Sequence, residues 1–336
     1  MNRNIFAKLL ITLLFVPSMS AQIKLGVAPR IMHFLGINKS FRYNEICWPT
    51  AHNSYAATSH GYTIANQKLT TKQQFDLGIR CLMPDVWPYG GSIKLCHGDC
   101  AKVNPIQQPF KVPRDFSEDL IDVKNFLAAN PEEIITLMLE NYVFDKELLD
   151  NFIKKYIPEN SILKPGDWNT QEKGGWPTID WMIKNNKRLV IFNDKHASPL
   201  TFHTWQEVVE NMYDVLDRAQ ASQLRAEAAD LEEFFQRDRY LYTLNLFPAV
   251  PRSPIDIALD TINGRDLRSL INYIVANGIH KGLYKGRYPN FIAIDHVHRG
   301  ELIEIVREIN LKAQDSNKRT FMFAPIRWKE FERAQK

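Results

Sequence analysis

The sequence predicts an α/β fold, a single-domain distorted TIM (β/α)8 barrel. Three observations predict it. Short β-like apolar runs alternate with longer helical patterns from Ile46 almost to the end, which is how βα units around a parallel sheet read. The roughly seven or eight units implied suit a barrel of typically ~250 residues with insertions. No internal repeat and no Pro/Gly/Ser-rich linker divides the chain. A doubly wound sheet is the structural alternative, because periodicity alone does not close a barrel.

Taken in order, residues 1–21 stand apart. Arg3 and Lys8 make a basic start, Leu9 to Val16 an apolar core, and Ser18-Met19-Ser20 a small-x-small cleavage signal. An apolar core of about eight residues is too short to span a bilayer and suits a secretory signal peptide. The expectation is a secreted protein, extracellular or periplasmic, with residues 22–336 mature and the barrel core at about 43–310. No later stretch approaches ~18 uninterrupted apolar residues, so no transmembrane helix is expected.

The expected strands are 45–49, 78–83, 93–96, 134–139, 188–192, 240–246 and 291–294. Helical patterns cover 116–129, 144–156, 205–235, 264–277 and 299–313. Within the third of these, Ala219 to Phe235 is rich in Ala, Glu and Leu and reads as a long, partly exposed helix. Residues 164–177 carry Gly, Pro, Asn and Asp and read as a long loop.

Composition narrows the function. The 336 residues are 45% hydrophobic and 24% charged, and 42 Lys and Arg against 38 Asp and Glu give a formal charge of +4. That excess is too small for a nucleic-acid surface. Fifteen Gly and eighteen Pro exclude a fibrous chain. The four cysteines Cys47, Cys81, Cys96 and Cys100 suit an oxidising compartment but allow three pairings. A short-loop Cys96–Cys100 disulfide is favoured over half a zinc site, since no second pair with ligand spacing completes one. Cys47 and Cys81 lie in apolar stretches and suit buried thiols.

The polar residues at the strand ends place the chemistry. Thr50-Ala51-His52-Asn53-Ser54 comes after the first strand, Asp85 after the second, His97-Gly98 after the third, Glu140-Asn141 after the fourth and Asp295-His296 after the last. In a βα barrel all strand C-termini face one side, so these groups should converge. Two histidines suit a general base and a general acid near neutral pH, and an Asp beside a His fixes its tautomer. Asn, Asp and Glu oxygens suit a hard cation, with calcium the favoured one outside a cell. Base, acid and cation together are equipment for attacking a phosphodiester. The His296-Val297-His298 pattern falls on the last strand rather than the first, which counts against a transition-metal site. Trp87, Tyr89 and Tyr55 lie beyond strand ends and suit either a membrane interface or loop packing.

Several motifs, in order, resemble the phosphatidylinositol-specific phospholipase C X-domain superfamily, above all its secreted single-domain members. They are PTAHNSY (49–55), GIRCLMPDVW (78–87), LCHG (95–98), NPEEIITLMLEN (130–141), WPTIDWMI (176–183), KRLVIF (187–192) and PNFIAIDH (289–296). The resemblance implies a distorted (β/α)8 barrel and catalytic roles for His52, His97 and Asp295. It implies that Asn53, Asp85 and Glu140 are ligands of Ca2+, as in the metal-dependent branch, since the metal-independent bacterial members carry an Arg where Asp85 stands. One position departs: a Glu of the eukaryotic signalling enzymes is replaced by Met83. Lys187, Arg188 and Lys195 are the candidates for phosphate or headgroup contacts, with Asp194 beside the last.

The activity implied is a calcium-dependent phospholipase C-type cleavage of phosphatidylinositol-type lipids at a membrane surface. A glycerophosphodiesterase or sphingomyelinase D-like enzyme on the same barrel, and a silent lipid- or glycan-binding module, are the rival readings.

Overall fold

The computed structural model describes residues 34–62, 65–101, 113–170, 173, 175–211, 224–225, 241–248, 267–271 and 289–313. The expected signal peptide lies outside these residues, as does most of the expected 205–235 helix.

Twelve strands are described: β1 (Trp48–His52), β2 (Cys81–Met83), β3 (Asp85–Tyr89), β4 (Ser92–Leu95), β5 (Ile135–Asn141), β6 (Ile162–Leu163), β7 (Leu189–Asn193), β8 (Phe202–His203), β9 (Val208–Asn211), β10 (Leu224–Arg225), β11 (Leu241–Asn245) and β12 (Phe291–Ile294). Parallel pairing runs in the order β9-β11-β12-β1-β2-β5-β7-β8, and the sheet curls into a distorted TIM-type barrel. Strands covered on both faces read as unbroken apolar runs. All of β7 and all of β12 are buried accordingly. The margins β8 and β9 are joined by a four-residue helix, Thr204–Glu207. β9 instead takes the antiparallel β10 on its other edge.

Helices begin where side chains satisfy their first N–H groups. Thr70 and Asp115 each form a reciprocal capping box at the start of α1 (Thr71–Leu77) and α2 (Phe116–Ala129). Asp145 accepts from the backbone N–H of Leu148 at the start of α3 (Lys146–Tyr156), and Thr178 caps Ile179–Lys184 in the same manner. The last described helix is Leu302–Ala313. At the N-terminal end of the strands an aromatic plug closes the barrel, with Tyr43 5.5 Å from Trp48 and 5.1 Å from Trp176 between ring centroids.

Three expectations are corrected. The first strand starts at Trp48 rather than at 45, because Tyr43–Glu45 is a 3-10 turn. The expected barrel strand at 93–96 is the return arm of a hairpin: β4 pairs antiparallel with β3 across Gly90-Gly91, both at positive φ. A two-residue turn with both residues in that region matches the strand twist. The expected helix over 205–235 is replaced at its start by the Thr204–Glu207 turn and then by β9, and Leu224–Arg225 is a strand. Residues 267–271 are helical, inside the expected 264–277.

Candidate active site

β2 ends at Met83, and Pro84, which has no N–H to give a ladder, separates it from β3. β3 then continues along β5, with Asp85 opposite Glu140 and Val86 opposite Asn141. The β3–β4 hairpin thus projects beyond the barrel rim and returns, bringing His97 back beside Asp85. Its place at the rim comes from this fold-back and not from a barrel strand.

A cavity of about 410 Å3 opens at the C-terminal ends of the strands. His52, Asn53, Asp85, His97 and Glu140 all line it. His52 closes β1, and its Nδ1 lies 2.8 Å from Asp295 Oδ1. Asn66 donates to both oxygens of Asp295, at 3.2 and 3.1 Å. The His52 ring stacks on Phe247 with centroids 3.5 Å apart. Gln67 braces the same corner by donating to the carbonyls of His52 and Ile294 and accepting from the N–H of Val297.

His97 forms the second arm. Its Nδ1 is 3.2 Å from Asp85 Oδ2 and 3.4 Å from Asn53 Nδ2. The hydroxyl of Tyr55 donates to Asp85 Oδ2 at 2.9 Å. Burial pushes the Asp85 carboxyl above the usual carboxylate range, and the charge of Glu140 pushes the same way. The hydrogen bond to Asp85 raises His97 in turn. Asn53 is buried with φ 42°, a left-handed conformation that Asn tolerates better than most residues. Glu140 accepts from the Tyr142 hydroxyl, and that ring stacks on Trp87 at 3.9 Å. Burial first, and then Glu140 as acceptor, raise the Tyr142 phenol.

The structure therefore brings His52, Asp295, His97, Asp85, Asn53 and Glu140 to one rim. Lys195 and Asp194 join them on the cavity wall, the ammonium 2.9 Å from the carboxylate and 5.5 Å from the Tyr142 ring centre. Lys187 and Arg188 do not. They precede β7 and stand at the opposite end of the barrel. There Arg188 donates to the carbonyls of Leu127 and Asn130, and Lys187 pairs with Asp167 at 2.7 Å. Tyr55 is fully buried and is a partner of Asp85 rather than an interfacial ring. Met83 lines the cavity opposite His52 in register.

Cys96 and Cys100 are disulfide-bonded, while Cys47 and Cys81 are buried free thiols. The rings of His296 and His298 meet edge to face, and no metal-holding group of three or more His, Cys, Asp or Glu occurs among the described residues. Asn66 and Phe247 escape a reading of the sequence, since each reaches the site from a loop with no periodic signal. The model of the PI-PLC X domain family matches residues 39–310. The chain belongs to the PI-PLC X family.

A PI-PLC X domain-containing protein of Arabidopsis thaliana is 24% identical over 291 residues, which is 80% of this chain and 62% of that protein. An uncharacterized secreted protein of Arthroderma benhamiae is 23% identical over the same length, 80% of this chain and 61% of the relative. The chain thus spans about three-fifths of the length of these curated relatives. Among solved structures, the phosphatidylinositol-specific phospholipase C of Listeria monocytogenes superposes with a TM-score of 0.54 at 14% identity, covering 83% of this chain and 98% of that one. A Staphylococcus aureus phosphatidylinositol-specific phospholipase C mutant superposes at 0.51, again at 14% identity, covering 81% and 94%. Both likenesses establish the PI-PLC barrel fold. No helix among the described residues is long and apolar enough to cross a membrane.

Proposed function

We propose that this PI-PLC X chain is a calcium-dependent phospholipase C-type phosphodiesterase that cleaves phosphatidylinositol-type lipids to diacylglycerol and an inositol cyclic phosphate. The observation that carries the reading is the pair of histidines on one cavity, each held through Nδ1 by a carboxylate. That arrangement leaves Nε2 of each ring as the nitrogen available to a substrate.

The two arms divide the proton work. Asp295 accepts a hydrogen bond from the Nδ1–H of His52, so Nε2 is the basic nitrogen and accepts the proton of the inositol 2-hydroxyl as it attacks phosphorus. His97, protonated and steadied by Asp85, delivers a proton from Nε2 to the departing glyceride oxygen. Phe247 and Asn66 hold the first arm's angle.

The donor set suits a hard cation. Asp85 and Glu140 are register partners on adjacent parallel strands, and Glu140 opposes ionisation of Asp85, a repulsion that a cation would relieve. Asn53 adds an amide oxygen. Bound there, calcium would neutralise phosphate charge and acidify the attacking hydroxyl. Two carboxylates and one amide are few ligands for an ion that takes six to eight oxygens, so affinity falls at the weak extracellular end, on the order of 10⁻⁴–10⁻³ M. Membrane contact fits the rim, where Phe144 is 75% exposed and Leu148 47%, just beyond the end of β5. Export by residues 1–21 belongs to the same reading.

The test incubates purified protein with vesicles of phosphatidylinositol, phosphatidylcholine or sphingomyelin, with calcium or a chelator, and identifies the water-soluble product by phosphorus NMR. Calcium-dependent cyclic inositol phosphate from phosphatidylinositol alone is expected. Full activity in chelator removes the calcium assignment. Cleavage of the choline lipids instead selects the sphingomyelinase-like alternative, and binding without turnover selects the silent module.

A further inference from the structure

His97 sits in a covalent ring. The disulfide joins Cys96 to Cys100 and closes Cys96-His97-Gly98-Asp99-Cys100 on itself, with both sulfur-bearing residues buried. Among the described residues, no helix or strand includes this segment. β4 ends at Leu95, the backbone of Cys96 donates to the Asp85 carbonyl at a long 3.4 Å, and Gly98 takes φ 81°. The Asp99 carboxylate accepts from the N–H of Ala101, a bond inside the turn. The His97 side chain is 45% exposed and reaches its partners at 3.2 and 3.4 Å. His52 is placed quite differently, on a barrel strand, 17% exposed and stacked on Phe247.

We infer that the Cys96–Cys100 disulfide is a positioning clamp for His97, holding its ring against Asp85 so that Nε2 meets the leaving oxygen. The inference rests on the phospholipase reading for its chemistry. An imidazole on an open, glycine-containing turn spends most of its time away from one productive orientation, and a misplacement of about 1 Å costs on the order of 10²-fold in rate. A ring of five residues removes less loop-closure entropy from the unfolded chain than a long loop does, so opening the clamp lowers the fold's stability only modestly while it frees the His97 ring. Opening it takes two electrons and two protons, supplied by a dithiol that is itself oxidised to a cyclic disulfide.

The test uses full-length mature protein in three forms: oxidised wild type, wild type reduced by a dithiol, and Cys96→Ala/Cys100→Ala. Each is assayed on phosphatidylinositol, whose alcohol leaving group needs a proton, and on an inositol phosphodiester carrying a nitrophenol, which does not. Opening the clamp should lower kcat on the lipid by about 10²-fold and leave the nitrophenyl substrate within about threefold. The melting temperature should fall by about 5 °C or less. In proton NMR, the hydrogen-bonded Nδ1–H of His97 should be visible in oxidised protein and lost in both open forms. A clamp that merely stabilises the fold predicts equal loss on the two substrates with the Nδ1–H signal retained, and that result overturns the inference. So does full lipid turnover in both open forms. Should oxidised wild type turn over neither substrate, the phospholipase reading fails, and the NMR signal alone decides the clamp: unchanged on opening, the clamp fails as well.

Discussion

The two ends of the barrel carry similar charged residues and treat them in opposite ways. At the N-terminal end Arg80 is fully buried, donates to Glu133 at 2.7 Å and to the carbonyls of Phe75 and Ile79 at 3.0 and 2.7 Å, and lies 4.5 Å from the centre of the Phe126 ring. Arg188, at the same end, is bonded to two carbonyls. At the C-terminal end, His52 and His97 are each fixed by one ring nitrogen and face an open cavity. Buried groups bonded to several partners hold a structure together, and groups bonded through one atom at a mouth are available to a ligand. For residues at the ends of the parallel barrel strands, strand direction decides which end they join.

The largest expected effect tests the open end. His52→Ala and His97→Ala should each lower phosphodiesterase kcat by about 10²–10⁴-fold with the fold intact by circular dichroism. The double variant should be little worse than either, because the two act in one proton-transfer unit. Additive losses would mean that the histidines work in separate steps.

The next effect belongs to the closed end. Removing one partner of a buried ion pair leaves the other charge unpaired, at a cost of about 3–5 kcal/mol. Arg80→Met should therefore lower the urea midpoint sharply, while kcat per folded molecule stays at the wild-type value. Arg80→Met/Glu133→Leu should recover much of the lost stability, as buried pairs replaced by apolar residues often do. A fall in kcat with unchanged stability would show that the two ends are coupled.

Much of this contrast is legible in the sequence. The barrel can be read because parallel strands buried on both faces leave apolar runs such as Leu189 to Phe192, spaced by capped helices. His52, Asp85, Glu140 and Asp295 can be placed because each comes at the end of such a run. Lys187 and Arg188 precede theirs, and that position already assigns them to the far end. β9 is hidden: Val208-Val209-Glu210-Asn211 lies in a helix-favouring context, and pairing with β11 overrides that preference. His97 reaches the expected rim by an unexpected route, since a Gly-Gly hairpin and not a barrel strand carries it there. Asn66 and Phe247 depend on where loops fold back, which local pattern does not encode.

The smallest effect concerns a histidine near the site's own loops that is packed against a charged partner, as at the closed end. His60 lies on the turn after β1, and the Arg114 guanidinium donates to its Nδ1 at 2.9 Å. Burial first, and the Arg114 charge second, lower its pKa to about 4. In the unfolded chain a histidine titrates near about 6.5. Between these values the unfolded state binds the extra proton, so stability contributed by neutral His60 is present above about pH 6.5 and lost as pH falls toward 4. His60→Gln carries no such proton. The difference in urea midpoint between wild type and His60→Gln should favour wild type progressively as pH rises from about 4 to 6.5, and then level off. Partial solvent exposure keeps the effect small, and kcat should not change, because His60 takes no part in the cavity. A pH-independent difference would show that His60 titrates alike in the folded and unfolded chain. Burial and the Arg114 charge would then leave it unperturbed, and the separation between paired and available histidines at this end of the barrel would fail.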